Sequence, residues 1–391
     1  MAGMTGATDS GAPLRIAHLI ESDGPGGAER VVADLAAHLQ ASGAFNVVVL
    51  PADGEGWLAR QLTGTGVTIE HFHLNAPVSP ACARALAALF QRYRIHVAHS
   101  HEFSMAVYGS WAARRAGVRH LITMHGSRYY ADRFRRRLAM RAAIACSGRT
   151  VAVSKRLADR LSEDLGISRA RIEIIPNGVR HVVPERSRVR EELYLGAGDR
   201  LLVAVGNLYA VKGHRHLIDA LALLVPRHPR LHLAICGRGD LEGALSAQAR
   251  DLGITSRVHL LGLRSDVAGV LAAADIFVHP SISEGLPLAL LEAMFAARPI
   301  VASAVGEIGS ALADGTAGLL VPPCDPAALA SAIDRLLSDA DLARTLADRA
   351  SRRARMEYDV TQMVRRYVAQ YAELLRPRPA GRAARSEAHV V

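Results

Sequence analysis

Two glutamates eight residues apart flank a segment suited to binding an anion. Glu284 follows the apolar run 276–281, and Glu292 lies about a turn and a half into the helix predicted to begin near Pro287. Proline is favoured in a first helical turn because its missing N–H would have no intrahelical partner there. The free amides of such a helix start can bind an anion. Those amides belong to Gly285, Leu286 and Leu288 to Leu290.

Two further segments carry residues suited to a phosphorylated ligand. Gly26 and Gly27 lie in a glycine-rich turn between a predicted strand and a predicted helix, where backbone amides can approach a phosphate without side-chain obstruction. Lys212 follows another predicted strand, and its ammonium can neutralise a diphosphate leaving group. Apart from Lys155 it is the only lysine in a chain that otherwise uses arginine. The alternatives are a tight structural turn and a solvated surface lysine.

Histidines at strand ends are candidates for contacting a sugar. His125, followed by Gly126, ends a predicted strand from which it can reach a cleft and hydrogen-bond a hydroxyl group. His99, His101 and Glu102 stand at or just after another strand end. These three either border the same cleft or have a purely structural role.

The elements that must position these residues alternate along the whole chain. Short β-like runs separated by helical patterns predict parallel sheets with helices on both faces. A break near 182–187 divides them into two series, so we predict two doubly wound α/β domains. Ligands bind outside the carboxyl ends of strands in such sheets, and a cleft between the domains is expected because the motifs fall at those ends. The predicted strands are 15–21, 45–51, 68–72, 97–101, 120–125, 150–154, 172–176, 200–206, 231–237, 258–262, 276–280, 299–304 and 318–322.

Composition narrows the class of protein. The chain has 391 residues, enough for two domains, and 50% of them are hydrophobic. No run of 18 apolar residues predicts a membrane span. The net charge of +10 suits nucleic acid, anionic lipid or phosphorylated ligands, but no nucleic-acid motif is present and aromatics make up only 5%. The four cysteines are scattered without metal-ligand spacing, which favours reduced thiols in the cytosol and no zinc site.

An arginine-rich helix is predicted between Arg133 and Cys146. At about 100° per residue its apolar side chains share one narrow arc, and most of the arginines point away from that arc. One interpretation is a basic helix lying on an anionic membrane surface. The other is an ordinary surface helix that packs this apolar stripe inward. The apolar arc consists of Phe134, Leu138, Ala142 and Ala145, and the candidate lipid contacts are Arg133, Arg135, Arg136 and Arg137.

Together these motifs resemble the family-4 retaining glycosyltransferases, which have a GT-B fold. The similarity rests on the E-x7-E pair, the Gly-Gly-Ala-Glu-Arg segment ending at Arg30, the Lys212-Gly213 pair and the His125-Gly126 pair. It extends from about Pro13 to Leu375. It implies an acceptor-side domain at 13–183, a nucleotide-sugar-binding domain at 184–358 and a helix at 359–375 that crosses back to the first domain. Residues 1–12 and 376–391 are expected to be disordered.

The resemblance also implies roles for individual residues. Glu284 and His125 would position the donor sugar, Lys212 would stabilise the departing diphosphate, and Glu292 would bind the ribose. Helix-start amides would assist the lysine. The implied donor-binding positions are Gly26, Gly27, Asn207, Lys212, Gly285, Leu286, Pro287, Leu288, Glu292 and Arg264.

Asn207 departs from the family pattern, which usually has arginine between this glycine and leucine. Asparagine donates neutral hydrogen bonds, which are about half as strong as charge-assisted ones. A weaker hold on the diphosphate or a substitute cation is therefore expected. Arg238 and Arg264, near predicted strand ends, are the candidate substitutes.

The function implied is transfer of a sugar from a nucleotide diphosphate donor to a hydroxyl of a glycan or lipid-linked acceptor, with retention of configuration. No cofactor or metal is expected, since the only D-x-D motif, Asp339 to Asp341, lies far from any strand end. The expected setting is bacterial cell-surface polysaccharide or glycolipid synthesis, in the cytoplasm or on the inner face of the membrane. Two alternatives stay open: a sugar-nucleotide epimerase or hydrolase, and a weakened sugar-nucleotide-binding subunit.

Overall fold

The computed structural model describes residues 12–54, 56–73, 79–126, 133–182 and 187–376. Within them the chain forms two parallel sheets, one of seven and one of six strands, with helices between successive strands. Each predicted strand is present, so the prediction of two doubly wound sheets is confirmed. The boundary predicted at 183–184 and nearly all of both predicted disordered ends lie outside the described residues.

The first sheet has the order β3-β2-β1-β4-β5-β6-β7. Its central strands are buried along almost their whole length, as expected for strands covered on both faces, although several of the buried positions are polar. The strands are β1 (Arg15–Leu19), β2 (Phe45–Pro51), β3 (Thr68–Phe72), β4 (Val97–His101), β5 (Arg119–Met124), β6 (Arg149–Ala152) and β7 (Ile172–Ile174). The helices are α1 (Gly27–Ala41), α2 (Trp57–Leu62), α3 (Pro80–Arg92), α4 (Glu102–Ala116), α5 (Phe134–Cys146) and α6 (Lys155–Leu165).

The second sheet has the order β10-β9-β8-β11-β12-β13. In each sheet the strand order reverses beside the first strand, which is where ligands bind in such folds. The strands are β8 (Arg200–Val205), β9 (Leu231–Cys236), β10 (Val258–Leu260), β11 (Ile276–His279), β12 (Ile300–Ser303) and β13 (Leu319–Val321). The helices are α7 (Val189–Glu192), α8 (His214–Leu224), α9 (Glu242–Asp251), α10 (Val267–Ala273), α11 (Leu288–Phe295), α12 (Ile308–Ala311), α13 (Pro326–Ser338) and α14 (Ala340–Glu357).

The last helix, α15 (Val360–Leu375), packs on the first sheet although it follows the second in sequence. Its Tyr367 and Tyr371 are fully buried, and the Tyr371 hydroxyl lies 2.7 Å from Nδ1 of His99. A parallel bridge between Val179 and Asp359 joins the two crossing segments just before the helix begins. The chain thus passes between the sheets twice, which limits how far they can move apart.

A histidine cluster lies inside the first sheet, beneath α15. His18, His99 and His101 are all fully buried, and adjacent register positions on β1 and β4 bring their rings together. Burial lowers the pKa of His18 to about 4 and holds those of His99 and His101 well below 6.5, so all three are neutral at pH 7. Both nitrogens of His99 are hydrogen-bonded to hydroxyl groups. Of the two readings of His99 and His101, the structure supports the structural one.

The helix α5 buries a different face from the one that its apolar arc indicates. Its buried residues are Met140, Ala143 and Ile144. The predicted stripe faces outward, with Phe134 73% and Leu138 51% exposed. The interpretation in which that stripe packs inward against the protein is therefore wrong. Alanines occupy both faces of this helix, so hydrophobic periodicity alone did not identify the buried one.

Candidate functional site

A cleft of about 1060 Å³ lies between the carboxyl ends of the two sheets. It is lined from one side by segments that follow β1, β4 and β5, and from the other by segments that follow β8, β9 and β11. The structure brings all the predicted site residues together in its wall. These are Glu284, His125, Lys212, Gly26, Gly27, Asn207, Gly285, Leu286, Pro287, Leu288, Glu292 and Arg264.

The N-termini of α1 and α11 face each other across this cleft. A Cβ atom placed on Gly27 would lie 4.0 Å from the Leu288 side chain. Neither helix has a side-chain cap, so no capping side chain occupies the first amides of these cleft-lining turns. Pro287 is the N-cap of α11 and not a residue of its first turn, because its backbone is extended. The Leu290 amide already bonds to the Pro287 carbonyl at 3.2 Å, so its prediction as an anion donor is wrong.

Three donors converge on one oxygen of Glu284. Its Oε1 lies 2.6 Å from Nζ of Lys212, 2.7 Å from Oγ of Ser281 and 3.1 Å from Nε2 of His279. Burial alone would raise the pKa of Glu284, but the His279 hydrogen bond and the Lys212 charge lower it to about 2. The carboxylate is therefore ionised throughout the neutral range and is held in one orientation.

Two glycines fix the backbone around this pair because they lie against carbonyl oxygens. Gly213, with φ of +65°, follows Lys212, and a Cβ there would lie 2.1 Å from the Pro280 oxygen. Gly306, with φ of +57°, lies behind the loop that carries Glu284, and a Cβ there would lie 2.1 Å from the backbone carbonyl oxygen of Glu284. Both positions require a left-handed backbone and close approach, which glycine alone provides without strain.

Glu292 forms an ion pair that joins the two halves of the molecule. Its Oε1 lies 2.6 Å from Nη1 of Arg30, which belongs to α1. Burial raises the pKa of Glu292, and the Arg30 charge partly offsets that rise. The arginine of the Gly-Gly-Ala-Glu-Arg segment thus contacts the second glutamate of the E-x7-E pair. Its own role was not predicted from the sequence, although the motif contained it.

His125 and Glu102 occupy the first-sheet wall of the cleft. Burial lowers the pKa of His125 to about 4, so the imidazole is neutral at pH 7. Its Nε2 lies 3.1 Å from Nδ1 of His101, while Nδ1 has no hydrogen-bond partner among the described residues. Glu102 accepts the His125 amide at 3.1 Å, and burial raises the pKa of this carboxyl to about 8. Nδ1 is itself buried, so His125 carries an unmet hydrogen-bonding capacity at the cleft wall.

The two arginines considered as substitutes at the Asn207 position are not free to serve as such. Arg264 lines the cleft, but its guanidinium lies 2.7 Å from Glu192 and 2.6 Å from Asp266, so two carboxylates already compensate its charge. Arg238 is not among the described residues that line the cleft. Lys212 and Arg30 are the other arginine or lysine side chains among the described residues that line the cleft.

Several cleft residues were not assigned from the sequence. Glu29 and His279 stand within the motifs, so a signal was present for them. Trp57 and Gln61 come from α2, which carries no motif, and only the tertiary structure brings them to the wall. The unassigned lining residues include Glu21, Ser22, Glu29, Arg30, Trp57, Gln61, Cys236 and His279.

Comparisons with known proteins agree with this architecture. Residues 25–182 match the family model described as Glycosyltransferase Family 4, and residues 199–339 match the one described as Glycosyl transferases group 1. Anabaena HepE, solved in complex with UDP, has a TM-score of 0.81 at 23% identity over 92% of this chain and 100% of its own. A glycosyltransferase from Rickettsia africae has a TM-score of 0.80 at 20% identity, over 93% and 99%. The fold is GT-B.

Curated relatives extend the comparison at the sequence level. The D-inositol 3-phosphate glycosyltransferase of Nocardia farcinica is 33% identical over 227 residues, 55% of this chain and 50% of its own. The Escherichia coli UDP-Gal:alpha-D-GlcNAc-diphosphoundecaprenol alpha-1,3-galactosyltransferase is 26% identical over 272 residues, 65% and 70%. The chain spans about half the length of the first curated relatives it matches. With the family matches in both halves, these similarities support a glycosyltransferase of the family-4 type.

Proposed function

We propose that this protein transfers a sugar from a UDP-sugar to a hydroxyl group of a glycan or lipid-linked acceptor, with retention of configuration and without a metal ion. The observation that supports this most directly is the arrangement of Lys212 and Glu284 beside two facing helix starts. Helix-start amides and one ammonium form an electrostatic site for a diphosphate leaving group. A carboxylate held ionised next to it suits recognition of sugar hydroxyls.

In the proposed reaction the acceptor oxygen attacks the anomeric carbon on the face from which the diphosphate leaves. The bond between that carbon and the phosphate oxygen breaks, and the acceptor proton passes to the departing diphosphate. Lys212 and the amides of α1 and α11 stabilise the charge that develops on the leaving group. Glu284 and neutral His125 orient the sugar by hydrogen bonds, and Glu292 binds the ribose.

Uracil is the proposed base because solved neighbours of this fold bind UDP and UDP-glucose. The Escherichia coli relative is named for a UDP-sugar and a diphosphoundecaprenol-linked acceptor, which favours a lipid-linked acceptor in cell-surface glycan synthesis. Thermal unfolding with UDP, GDP and ADP tests the base. A nucleotide at a hundred times its dissociation constant adds about 2.7 kcal/mol to the free energy of unfolding. Of the three nucleotides, UDP alone should raise the unfolding temperature by the corresponding amount.

Activity is tested with variants of the two proposed site residues. Glu284→Ala and Lys212→Ala should each lower sugar transfer at least about a hundredfold, because each removes a group that acts at the reacting bond. Lys155→Ala is the matched control, since this other lysine is 77% exposed and pairs with Asp159. Transfer by Glu284→Ala or Lys212→Ala at the rate of Lys155→Ala would overturn the site assignment.

The alternative activities give different outcomes in the same assays. A hydrolase or epimerase would consume UDP-sugar at full rate without any acceptor. A weakened binding subunit would bind UDP without turnover, and Asn207→Arg, which restores the family pattern, would then raise turnover strongly. An unchanged rate of turnover in Asn207→Arg would indicate an enzyme whose site is adapted to asparagine at this position.

We further propose that α5 docks on the anionic inner face of the cell membrane. Its exposed apolar stripe contains Phe134 and Leu138, and α4, which packs beside it, presents Trp111 at 48% exposure. An outward-facing apolar stripe with arginines along its edges is the pattern of an interfacial helix. No helix within the described residues is long and apolar enough to cross a bilayer.

The arginines of this helix are not equivalent. Arg137 is tied down because its Nε donates to the Asp164 carbonyl at 2.8 Å, and Arg136 lies over the Phe103 ring. Arg133 and Arg135 are exposed, and Arg141 is exposed as well. These last three are therefore the cations proposed to meet anionic lipid, in place of the four consecutive basic positions considered from the sequence.

Vesicle co-sedimentation tests the docking surface. Binding should require phosphatidylglycerol and be absent with phosphatidylcholine alone, because the arginines supply about 1 kcal/mol each near an anionic surface. The double variant Phe134→Ser/Leu138→Ser should lose binding. Leu223→Ser is the control, since Leu223 is 56% exposed on α8 of the second sheet. Equal binding by both variants would refute the assignment of the surface.

A further inference from the structure

The donors around Glu284 fall on a single oxygen. Lys212, Ser281 and His279 all bond to Oε1, and no described residue donates to Oε2. Glu284 lines the cleft, so Oε2 is the atom left for a ligand. The three donors thus orient the carboxylate without occupying its second oxygen.

His279 ends β11 and Ser281 lies two residues beyond it, and both side chains are buried. Ser281 is 1% and His279 2% exposed, and the two side chains lie 3.2 Å apart. The Ile282 amide donates to the Val211 carbonyl at 2.8 Å, which joins this segment to the turn that carries Lys212. The positions of these donors relative to Glu284 are therefore fixed by the backbone.

Lys212 has two tasks that compete. In the proposed function its ammonium stabilises the diphosphate, but in this structure it bonds to Glu284 at 2.6 Å. If the ammonium turns to the diphosphate, a buried carboxylate is left with less compensation, and that is costly unless other hydrogen bonds remain. His279 and Ser281 are those bonds. The neighbouring His214 on α8 is buried and neutral, because burial lowers its pKa to about 4, so it supplies no replacement charge.

We propose that Lys212 exchanges Glu284 for the donor diphosphate, and that His279 and Ser281 are positioning residues that hold Glu284 oriented through this exchange. This inference rests on the proposed function. In the donor complex, Nε2–H of His279 and the Ser281 hydroxyl both donate to Oε1, while Oε2 faces the sugar. Binding of the donor thereby changes the contacts of Glu284, the carboxylate proposed to align the sugar, because Lys212 leaves it.

The exchange is tested by UDP affinity in Glu284→Gln. UDP lacks the transferred sugar that Glu284 is proposed to orient, so this variant loses no contact with the ligand, while Lys212 is released from its anionic partner. UDP should bind about tenfold more tightly than to wild type, the effect of freeing one charge-assisted bond. Isothermal titration calorimetry measures the constant. Equal or weaker binding of UDP in Glu284→Gln would overturn the exchange.

The positioning role is tested with paired variants. His279→Leu should lower kcat at least about tenfold with little change in KM for the donor, whereas His279→Gln, whose amide replaces the Nε2 donor, should recover most of kcat. Ser281→Ala and Ser281→Thr form the same kind of pair. In His279→Leu the acid limb of the kcat profile should move up by at least one pH unit, because Glu284 loses the bond that keeps it ionised.

The outcomes separate this inference from the proposed function. Absence of UDP binding and transfer in the wild-type protein refutes the function itself. Wild-type transfer together with an unmoved acid limb in His279→Leu refutes only the positioning role. A drop in kcat that His279→Gln does not rescue, with no change in the pH profile, also refutes it, because a folding defect would give that result.

Discussion

Replacing Gly306 by alanine should disable the cleft by displacing Glu284 from behind. Gly306 touches no ligand position itself, but its α-carbon faces the carbonyl oxygens of the Glu284 loop. A Cβ atom on residue 306 would lie 2.1 Å from the backbone carbonyl oxygen of Glu284 and 2.8 Å from that of Gly285. Both neighbours are backbone atoms, so no side-chain rotation can relieve the overlap.

The size of the effect follows from these distances. Carbon atoms in contact normally lie 3.5–4.0 Å apart and oxygen somewhat closer, so the Glu284 carbonyl must move by about 1 Å. A shift of about 1 Å at a reacting group costs about a hundredfold in rate. The left-handed φ of +57° adds about 1 kcal/mol of strain for any residue with a side chain.

Gly253→Ala is the matched control for that strain. Gly253 has φ of +70°, and a Cβ there meets nothing within 4 Å. Both variants should therefore lose about 1 kcal/mol of stability through the backbone, while only Gly306→Ala should also lose transfer. Sugar transfer is measured on variants shown by circular dichroism to be folded. If Gly306→Ala transfers within threefold of Gly253→Ala, the argument that this glycine positions Glu284 is refuted.

Two further predictions concern acid and the cleft. Burial lowers the pKa values of His18, His120 and His214 to about 4, 3 and 4, below the 6.5 expected in the unfolded chain. Their stabilisation is therefore present above pH 6.5 and lost as pH falls, by about 2 kcal/mol each at pH 5. Glu102, with its pKa raised to about 8, opposes this loss because the folded protein takes up a proton there as pH falls. The free energy of unfolding in urea should therefore fall more steeply with acid in Glu102→Gln than in wild type. An equal dependence on pH would contradict the raised pKa of Glu102. Arg30→Ala should change stability by less than about 1 kcal/mol, because its ion pair is 40% exposed on the arginine side. It should nevertheless open the cleft, seen as a larger radius of gyration by X-ray scattering, and an unchanged radius would contradict that role.

Much of this molecule could be predicted from local sequence. Strands such as β2 and β9 are short apolar runs bounded by turn residues, and helix patterns separate them, so element type and order follow from local patterning. The cleft motifs were also accessible, because the strand-to-helix turns at Gly26 and Pro287 and the Glu284–Glu292 pair are contiguous in sequence. Parallel connections then place their strand ends at one edge of each sheet.

Tertiary structure decided which side chains meet. Arg30 and Glu292 are 262 positions apart, and no local pattern pairs one arginine among 45 with one glutamate. The face of α5 that is buried depended on what its neighbours offered, since apolar residues were available on either side. His99 carries a polar ring in the middle of β4, and the Tyr371 and Thr123 hydroxyls, brought in by α15 and β5, satisfy both of its nitrogens in the core. Local sequence sets backbone preferences within a few residues, whereas charge compensation and burial are properties of groups that only the complete fold brings into contact.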